Sequence, residues 1–180
     1  NKKTKAILPV HYAGVSCEMD TINSIAKSYK LFVVEDSAQG ILSKYKGKPL
    51  GSLGDMGAFS FHETKNIISG EGGALIVNNE KFLDRSEIIR EKGTNRTLFK
   101  KGQVDKYSWC DLGSSYLPSE LVAGFLLNQL NLSKKITKER LTIWLKYNEL
   151  LESLEEEGFI RRPTVPEDCT QNGHIYYILV

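Results

Sequence analysis

Two short apolar segments joined by a helical pattern constrain the fold of this chain more than any other feature. Residues 6–10 and 31–35 are apolar without regular polar alternation, which is typical of strands buried on both faces of a sheet. Between them, residues 17–30 carry apolar side chains at helical spacing. A strand, a helix and a second strand in this order form a parallel pair with a right-handed crossover. The sequence therefore predicts an α/β fold.

The rest of the chain continues as strands, helices and one long loop. We predict strands at 57–61 and 74–77, a helix at 80–92, a loop at 94–116, and a helical region from Ser119 to about 157 that Gly158 ends. The final run, HIYYILV, is aromatic and β-branched and predicts a strand. Because this run stops at the last residue and the first strand begins almost at once, we expect a fragment of a longer protein.

Composition removes several classes of function. The formal net charge is +2 and the basic residues are spread along the chain, so we expect no nucleic-acid partner. Three widely spaced cysteines without a CxxC pair argue against a disulfide framework and a zinc site, and favour a cytoplasmic protein. No stretch reaches the roughly 20 apolar residues of a membrane span, so no membrane segment is expected.

Polar residues follow two of the predicted strands, where ligands bind in open parallel sheets. Asp36 comes directly after VVE, and Gln39 follows three residues later. The alternative role for Asp36 is to cap the next turn, and Gln39 taken by itself indicates no function. Ser60 and Lys65 belong to the stretch FSFHETKNIISGEGGA, although a loop lysine is ordinarily a solvated cation. The glycines in SGEGG would let the backbone approach a ligand closely.

An acid, a hydroxyl and a lysine together match the needs of a pyridoxal phosphate site. There a lysine bonds covalently to the cofactor, a carboxylate keeps the pyridinium nitrogen protonated, and hydroxyl and amide groups hold the phosphate. His62 and His11 are candidates for contact with cofactor or substrate, with a structural role as the alternative for each. His174 is left unassigned, and the glycines match neither nucleotide-loop motif.

The motifs as a set resemble the DegT/StrS family of sugar-nucleotide aminotransferases. VEDSAQG is followed by the lysine of FSFHETKN and then by SGEGG, and the resemblance runs from Pro9 to about Asn148. FHETKN, REKGTNR, GQVDKYSW and DLGSSYLPSEL look most like family members that aminate dTDP-4-keto-6-deoxy-D-glucose at C4. The resemblance implies the aspartate-aminotransferase fold, with a mostly parallel sheet flanked by helices.

The resemblance also implies roles for individual residues. Lys65 would bind pyridoxal phosphate covalently and move a proton at the reacting carbon, Asp36 would bond the pyridine nitrogen, Gln39 would lie against the ring, and Ser60 would bind the phosphate. Ser115 would reach the phosphate from a neighbouring subunit, although many members have Asn there, and Arg where this chain has Leu117. Expected partners are a nucleotide sugar, glutamate as donor and a second copy of the chain.

The resemblance suggests boundaries as well as alternatives. Residues 1–130 would be part of a cofactor-binding domain, 131–157 a long connecting helix and 158–180 the start of a smaller domain. Relatives with His in place of the lysine are dehydratases, and Lys65 argues against that activity here. A further alternative is a non-catalytic piece that cannot hold cofactor alone.

Overall fold

The computed structural model describes residues 1–180, which form seven strands and five α-helices. The strands are β1 Ala6–Ile7, β2 Phe32–Asp36, β3 Lys44–Tyr45, β4 Lys48–Pro49, β5 Met56–Ser60, β6 Gly73–Val77 and β7 Cys169–Thr170. The helices are α1 Met19–Tyr29, α2 Leu83–Arg90, α3 Arg96–Lys100, α4 Glu120–Leu150 and α5 Glu152–Glu156. None of them is both long enough and apolar enough to cross a membrane.

The predicted strand, helix, strand unit is confirmed. β1 pairs in parallel with β2 and α1 connects them. α1 ends because Lys30 adopts a left-handed conformation (φ 54°), and its amide bonds back to the last turn. β1 is shorter than predicted: beyond Pro9, only Val10 bridges to β2. The core between α1 and the sheet contains Met19, Ala26, Val33, Tyr45 and Leu50.

The main sheet has the order β1, β2, β5, β6, and only β6 runs antiparallel to its neighbour. β6 can do so because a turn, not a crossover helix, joins it to β5. A second, antiparallel sheet contains β4, β3 and β7. Its β3–β4 hairpin, absent from the prediction, turns at Lys46 and Gly47, which both have positive φ.

The region between β6 and α4 is more ordered than predicted. The expected helix at 80–92 is a 3₁₀ turn, Glu80–Phe82, followed by α2, and the expected loop contains α3. The chain then doubles back, so that the amides of Cys110 and Asp111 both donate to the carbonyl of Gly93. A Cβ on Gly93 would lie 1.9 Å from the carbonyl oxygen of Asp111, so this crossing needs glycine.

The predicted C-terminal strand is wrong. From 174 to 180 only Leu179 forms a bridge, to Arg161. The carbonyl groups that a strand would offer to a neighbour are taken by side chains of α4, because Trp144 Nε1 donates to Ile175 O at 3.1 Å and Arg140 Nη2 to His174 O at 2.8 Å. β7 lies earlier and joins the second sheet. The domain boundaries at 130 and 157 stay a prediction.

Candidate active site

The carboxyl ends of β2 and β5 lie side by side and bring Asp36 and Ser60 to one edge of the sheet. Asp36 is in register with Ala58 on the parallel neighbour β5. Side chains two residues apart on a strand point to the same face, so Ser60 shares the face of Ala58 and Asp36. Both side chains are half-buried. Two residues that the sequence placed after separate strands therefore occupy the same edge and face.

One of the two carboxylate oxygens of Asp36 is hydrogen-bonded within the protein. Oδ1 accepts a hydrogen bond from the amide of Ala38 at 3.0 Å, which is the turn cap weighed as an alternative. Oδ2 makes no hydrogen bond within the chain. Backbone bonds from His11 N to Asp36 O (3.0 Å) and from Ser37 N to Ala58 O (2.9 Å) hold the strand end in place. The residue is thus both a cap and a fixed acceptor with one free oxygen.

Lys65 lies in a turn whose base is closed by backbone bonds. Glu63 N donates to Gly70 O at 3.0 Å and Phe61 N to Gly72 O at 2.8 Å, and Lys65 N donates to His62 O at 2.9 Å. Gly70 and Gly72 have φ of 82° and 138°, so the glycines serve the return of the chain into β6. The half-buried Lys65 side chain makes no hydrogen bond or ion pair within the chain.

Ser60 and His62 are linked by the start of the same turn. The amide of His62 donates to Ser60 Oγ at 3.3 Å, which leaves the hydroxyl proton of Ser60 available. His62 Nδ1 accepts from Thr64 N at 3.2 Å, and Nε2 lies 3.7 Å from a carboxylate oxygen of Glu71. These contacts order the turn, and the ring remains 40% exposed.

His11 is fully buried, and both of its ring nitrogens are used inside the protein. Nδ1 accepts from the amide of Cys17 at 3.2 Å, so the proton must be on Nε2, which donates to Glu35 at 2.9 Å. This geometry holds the end of β1 against β2 and the entry to α1. Nothing on the ring is left for a substrate, in contrast to the contact considered from sequence.

Glu35, which the sequence reasoning passed over, is the acceptor that organises this end of the sheet. Its two carboxylate oxygens accept from His11 Nε2 and from the amides of Gly51, Leu53 and Gly54 at 2.6–2.9 Å. Burial raises the pKa of this carboxyl, but the four hydrogen bonds together outweigh burial and hold it below 4.5. The sequence could have indicated this role, because residues two apart on a strand share a face and Glu35 therefore lies on the same face as the buried Val33.

A buried polar cluster, also missed, joins Gln39 to the lysine turn. Gln39 Oε1 accepts from Ala13 N at 2.6 Å, and its backbone carbonyl accepts from Asn172 Nδ2 at 2.8 Å. Asn66, next to Lys65, donates to Asn172 O at 2.9 Å and accepts from His174 Nδ1 at 2.8 Å. Asn172 and His174 are more than 100 residues from their partners Gln39 and Asn66, so no local sequence pattern could have paired them.

His174 is uncharged near neutral pH in this environment. Burial lowers its pKa from 6.5 to about 4, and the positive charges of Lys65 and Arg140 act in the same direction. The positive charge of Lys65 therefore lies close enough to His174 to lower the pKa of its ring.

Ser115 lies apart from these residues. It is exposed and bridges Glu91 in the doubled-back region, while Lys92 N donates to Ser114 O at 3.0 Å. Its hydroxyl has no hydrogen bond within the chain.

The chain is an α/β domain whose mostly parallel sheet carries an acid and a hydroxyl at the carboxyl ends of two strands, with an unpaired lysine in the turn that follows. Ligands of open α/β sheets bind at such an edge, so these residues form the candidate site. The model of the DegT/DnrJ/EryC1/StrS aminotransferase family matches residues 1–180, and the chain belongs to this family. The resemblance noted from the motifs is thereby confirmed, and aminotransferases of this family depend on pyridoxal phosphate.

Relatives and solved structures agree with this membership. The chain is 41% identical to GDP-perosamine synthase of Escherichia coli O157:H7 over 132 residues, 71% of this chain and 33% of that protein. It is 35% identical to dTDP-3-amino-3,6-dideoxy-alpha-D-galactopyranose transaminase of Aneurinibacillus thermoaerophilus, over 99% of this chain and 46% of the relative. The crystal structure of the aminotransferase from Psychrobacter cryohalolentis superposes with a TM-score of 0.87 at 28% identity, covering 97% of this chain and 46% of that one. The chain spans about half the length of the curated relatives it matches.

Proposed function

We propose that this chain forms the cofactor-binding part of a pyridoxal phosphate-dependent aminotransferase that acts on a nucleotide-linked keto sugar. The observation that carries the proposal is the meeting of Asp36 and Ser60 on one face at one sheet edge, with the unpaired amine of Lys65 in the turn that follows. Family membership supports the reaction class.

The donor set at this edge fits the cofactor. Asp36 has a free carboxylate oxygen for the protonated ring nitrogen, and Ser60 has a free hydroxyl proton for the phosphate. Hydrogen bonds from Ala13 N and Asn172 Nδ2 hold Gln39 in place, and the family resemblance assigns its side chain to the face of the ring. Lys65 supplies the primary amine for the covalent bond. His11 is not part of the proposed site, because its ring is buried and fully bonded.

The chemistry divides between cofactor and protein. When bound, pyridoxal phosphate supplies an electron sink that stabilises negative charge on the carbon next to the amino group. Asp36 would keep the ring nitrogen protonated. Lys65 Nζ would take the proton from the α-carbon of the amino donor and later deliver a proton to the sugar carbon that receives the amino group. Nζ has no hydrogen-bond or ion-pair partner within the chain, so no contact has to be broken before it reacts.

The motif resemblance favours dTDP-4-keto-6-deoxy-D-glucose as acceptor, amination at C4 and glutamate as donor. One of the two relatives is named for a GDP-linked sugar and the other for a dTDP-linked sugar, so the nucleotide is the feature to vary in an assay. The expected product is dTDP-4-amino-4,6-dideoxygalactose, which belongs to polysaccharide biosynthesis.

A homodimer with shared sites is part of the proposal. Large apolar side chains crowd the stretch around Ser115 and are 43–87% exposed: Trp109, Leu112, Tyr116, Leu117 and Leu121. Such a stretch suits a protein interface, and it would carry the Ser115 hydroxyl to the phosphate in the neighbouring subunit.

The test is the donor half of the reaction in the complete protein loaded with pyridoxal phosphate. Glutamate should release one equivalent of 2-oxoglutarate per site, and a panel of dTDP-, GDP- and UDP-linked 3-keto and 4-keto sugars should then identify the acceptor. Lys65→Ala should abolish release, whereas Lys100→Ala, at an exposed position, should leave it unchanged. Full activity of Lys65→Ala, or a dehydrated instead of an aminated sugar, would contradict the proposal.

A further inference from the structure

The segment from Gln171 to Ile175 touches both loops that carry the proposed cofactor residues. Asn172 is fully buried, and its Nδ2 donates to the carbonyls of Gln39 and Ile41, both at 2.8 Å. Its own carbonyl accepts from Asn66 Nδ2 at 2.9 Å. One side chain and its backbone therefore bond to the loop after β2 and to the turn after β5.

His174 closes the cluster, and its tautomer follows from the hydrogen bonds. Because Asn66 Nδ2 donates to Asn172 O, the oxygen of the same amide must face His174. His174 Nδ1 therefore carries the proton and donates at 2.8 Å. The backbone amide of His174 also donates to Asn172 Oδ1 at 3.1 Å. A neutral ring with this tautomer agrees with the lowered pKa of His174.

α4 fixes the segment from the other side. Arg140 Nε donates to Gly173 O at 3.1 Å and Nη2 to His174 O at 2.8 Å. Gly173 has a φ of 65°, and a Cβ there would lie 2.9 Å from the backbone of Arg140, so the segment runs directly against the helix. The cluster is thus attached to the longest element of the fold.

We propose that Asn66, Asn172 and His174 act as a positioning unit, which holds the turn of Lys65 at a fixed place relative to Gln39. None of the three has to touch the cofactor. The inference rests on the proposed function, and it adds residues that neither the motifs nor the comparisons assign.

The need for such a unit follows from the construction of the turn. Backbone bonds close its base at His62 and Gly70, and Lys65 itself has one backbone bond, from its amide to His62 O. The side chains that follow Lys65 attach the turn to the rest of the protein. Ile67 is fully buried and supplies an apolar anchor, and Asn66 is the polar one. A reactive amine contributes most when its approach is fixed in advance.

The decisive comparison is between His174→Asn and His174→Leu in the complete protein. Asparagine can place its Nδ2 near the position of Nδ1 and donate to Asn66, whereas leucine has similar bulk and no donor. The dissociation constant for pyridoxal phosphate and the absorbance maximum of the bound form are measured for each. We expect His174→Leu to weaken binding roughly tenfold or more and to shift the absorbance maximum, and His174→Asn to stay within about threefold of the unmodified protein.

The outcomes separate the positioning unit from the proposed function on which it rests. Equal behaviour of both variants, whether like the unmodified protein or equally impaired with an intact circular dichroism spectrum, would overturn the inference. If His174→Leu does not fold, Asn66→Ala removes the same bond from the other end, and unchanged binding in that variant would overturn the inference too. Absence of any bound-cofactor spectrum in the unmodified protein would instead contradict the proposed function.

Discussion

At the scale of single residues, the buried carboxylate of Glu35 organises the end of β2, although Glu35 is not itself a proposed site residue. It receives four hydrogen bonds, two on each oxygen, and links β2 with the loop that leads into β5. Through His11 it is also bonded to the chain just after β1. The neighbouring Asp36 can face a ligand because Glu35 and its donors hold the strand end from the opposite face.

Glu35→Gln tests this role. The amide group of glutamine would face two hydrogen-bond donors in either orientation, so two donors would be left unpaired. We expect the free energy of unfolding to fall by about 2–4 kcal/mol in a urea titration. Glu63→Gln, at an exposed position without side-chain bonds, should change it by less than about 0.5 kcal/mol. A loss at Glu35 no larger than that of the control would show that its hydrogen bonds do not hold this end of the sheet.

At the scale of elements, the segment between α2 and α4 is shaped by the close crossing of Gly93 and Gly113. A Cβ on Gly113 would lie 2.1 Å from the amide nitrogen of Gly93, so neither position has room for a side chain. The crossing also places Ser114 and Ser115 beside the end of α2. The position of the proposed trans-acting Ser115 therefore depends on two glycines.

Gly93→Ala should be far more costly than an alanine at another glycine of similar conformation. Both Gly93 and Gly102 have positive φ (73° and 67°), but a Cβ on Gly102 would meet nothing within 4 Å. Gly102→Ala isolates the conformational cost of about 1–2 kcal/mol. We expect Gly93→Ala to exceed it by more than about 2 kcal/mol in the same urea titration, since the backbone at Asp111 must move. Equal losses would mean that the crossing is not tight.

At the scale of the whole molecule, two buried groups with lowered pKa values, His174 and Glu35, make stability depend on pH in separate ranges. His174 has a pKa lowered from 6.5 to about 4, so between these values the unfolded chain binds the proton and the folded chain does not. Stability is therefore lost as the pH falls from 6.5 to 4. Glu35, whose pKa lies below 4.5, adds a further loss only at lower pH, as its carboxylate becomes protonated.

The pH dependence of unfolding isolates the contribution of His174. We expect the free energy of unfolding to decrease by on the order of 3 kcal/mol between pH 6.5 and 4, and His174→Asn to remove most of this slope. The measurement is a series of urea titrations at fixed ionic strength. An unchanged slope in His174→Asn would show that other groups cause the loss.

Sequence patterns predicted those elements whose conformation depends on residues nearby in the chain. The unit of β1, α1 and β2 followed from apolar periodicity, and Asp36 and Ser60 met because parallel strands end at a common edge. The conformation of the last residues, by contrast, depends on partners distant in sequence, namely Arg140 and Trp144. The same holds for Asn172, which looks in the sequence like any loop asparagine.

The location of the covalent bond to pyridoxal phosphate tests the proposed cofactor site most directly. The complete protein is incubated with the cofactor, reduced with borohydride, digested and mapped by mass spectrometry. We expect a single modified residue, Lys65, with no labelling of that peptide in Lys65→Ala. Modification at another lysine, or none at all in the folded protein, would contradict the assignment of Lys65 and of the site around Asp36 and Ser60.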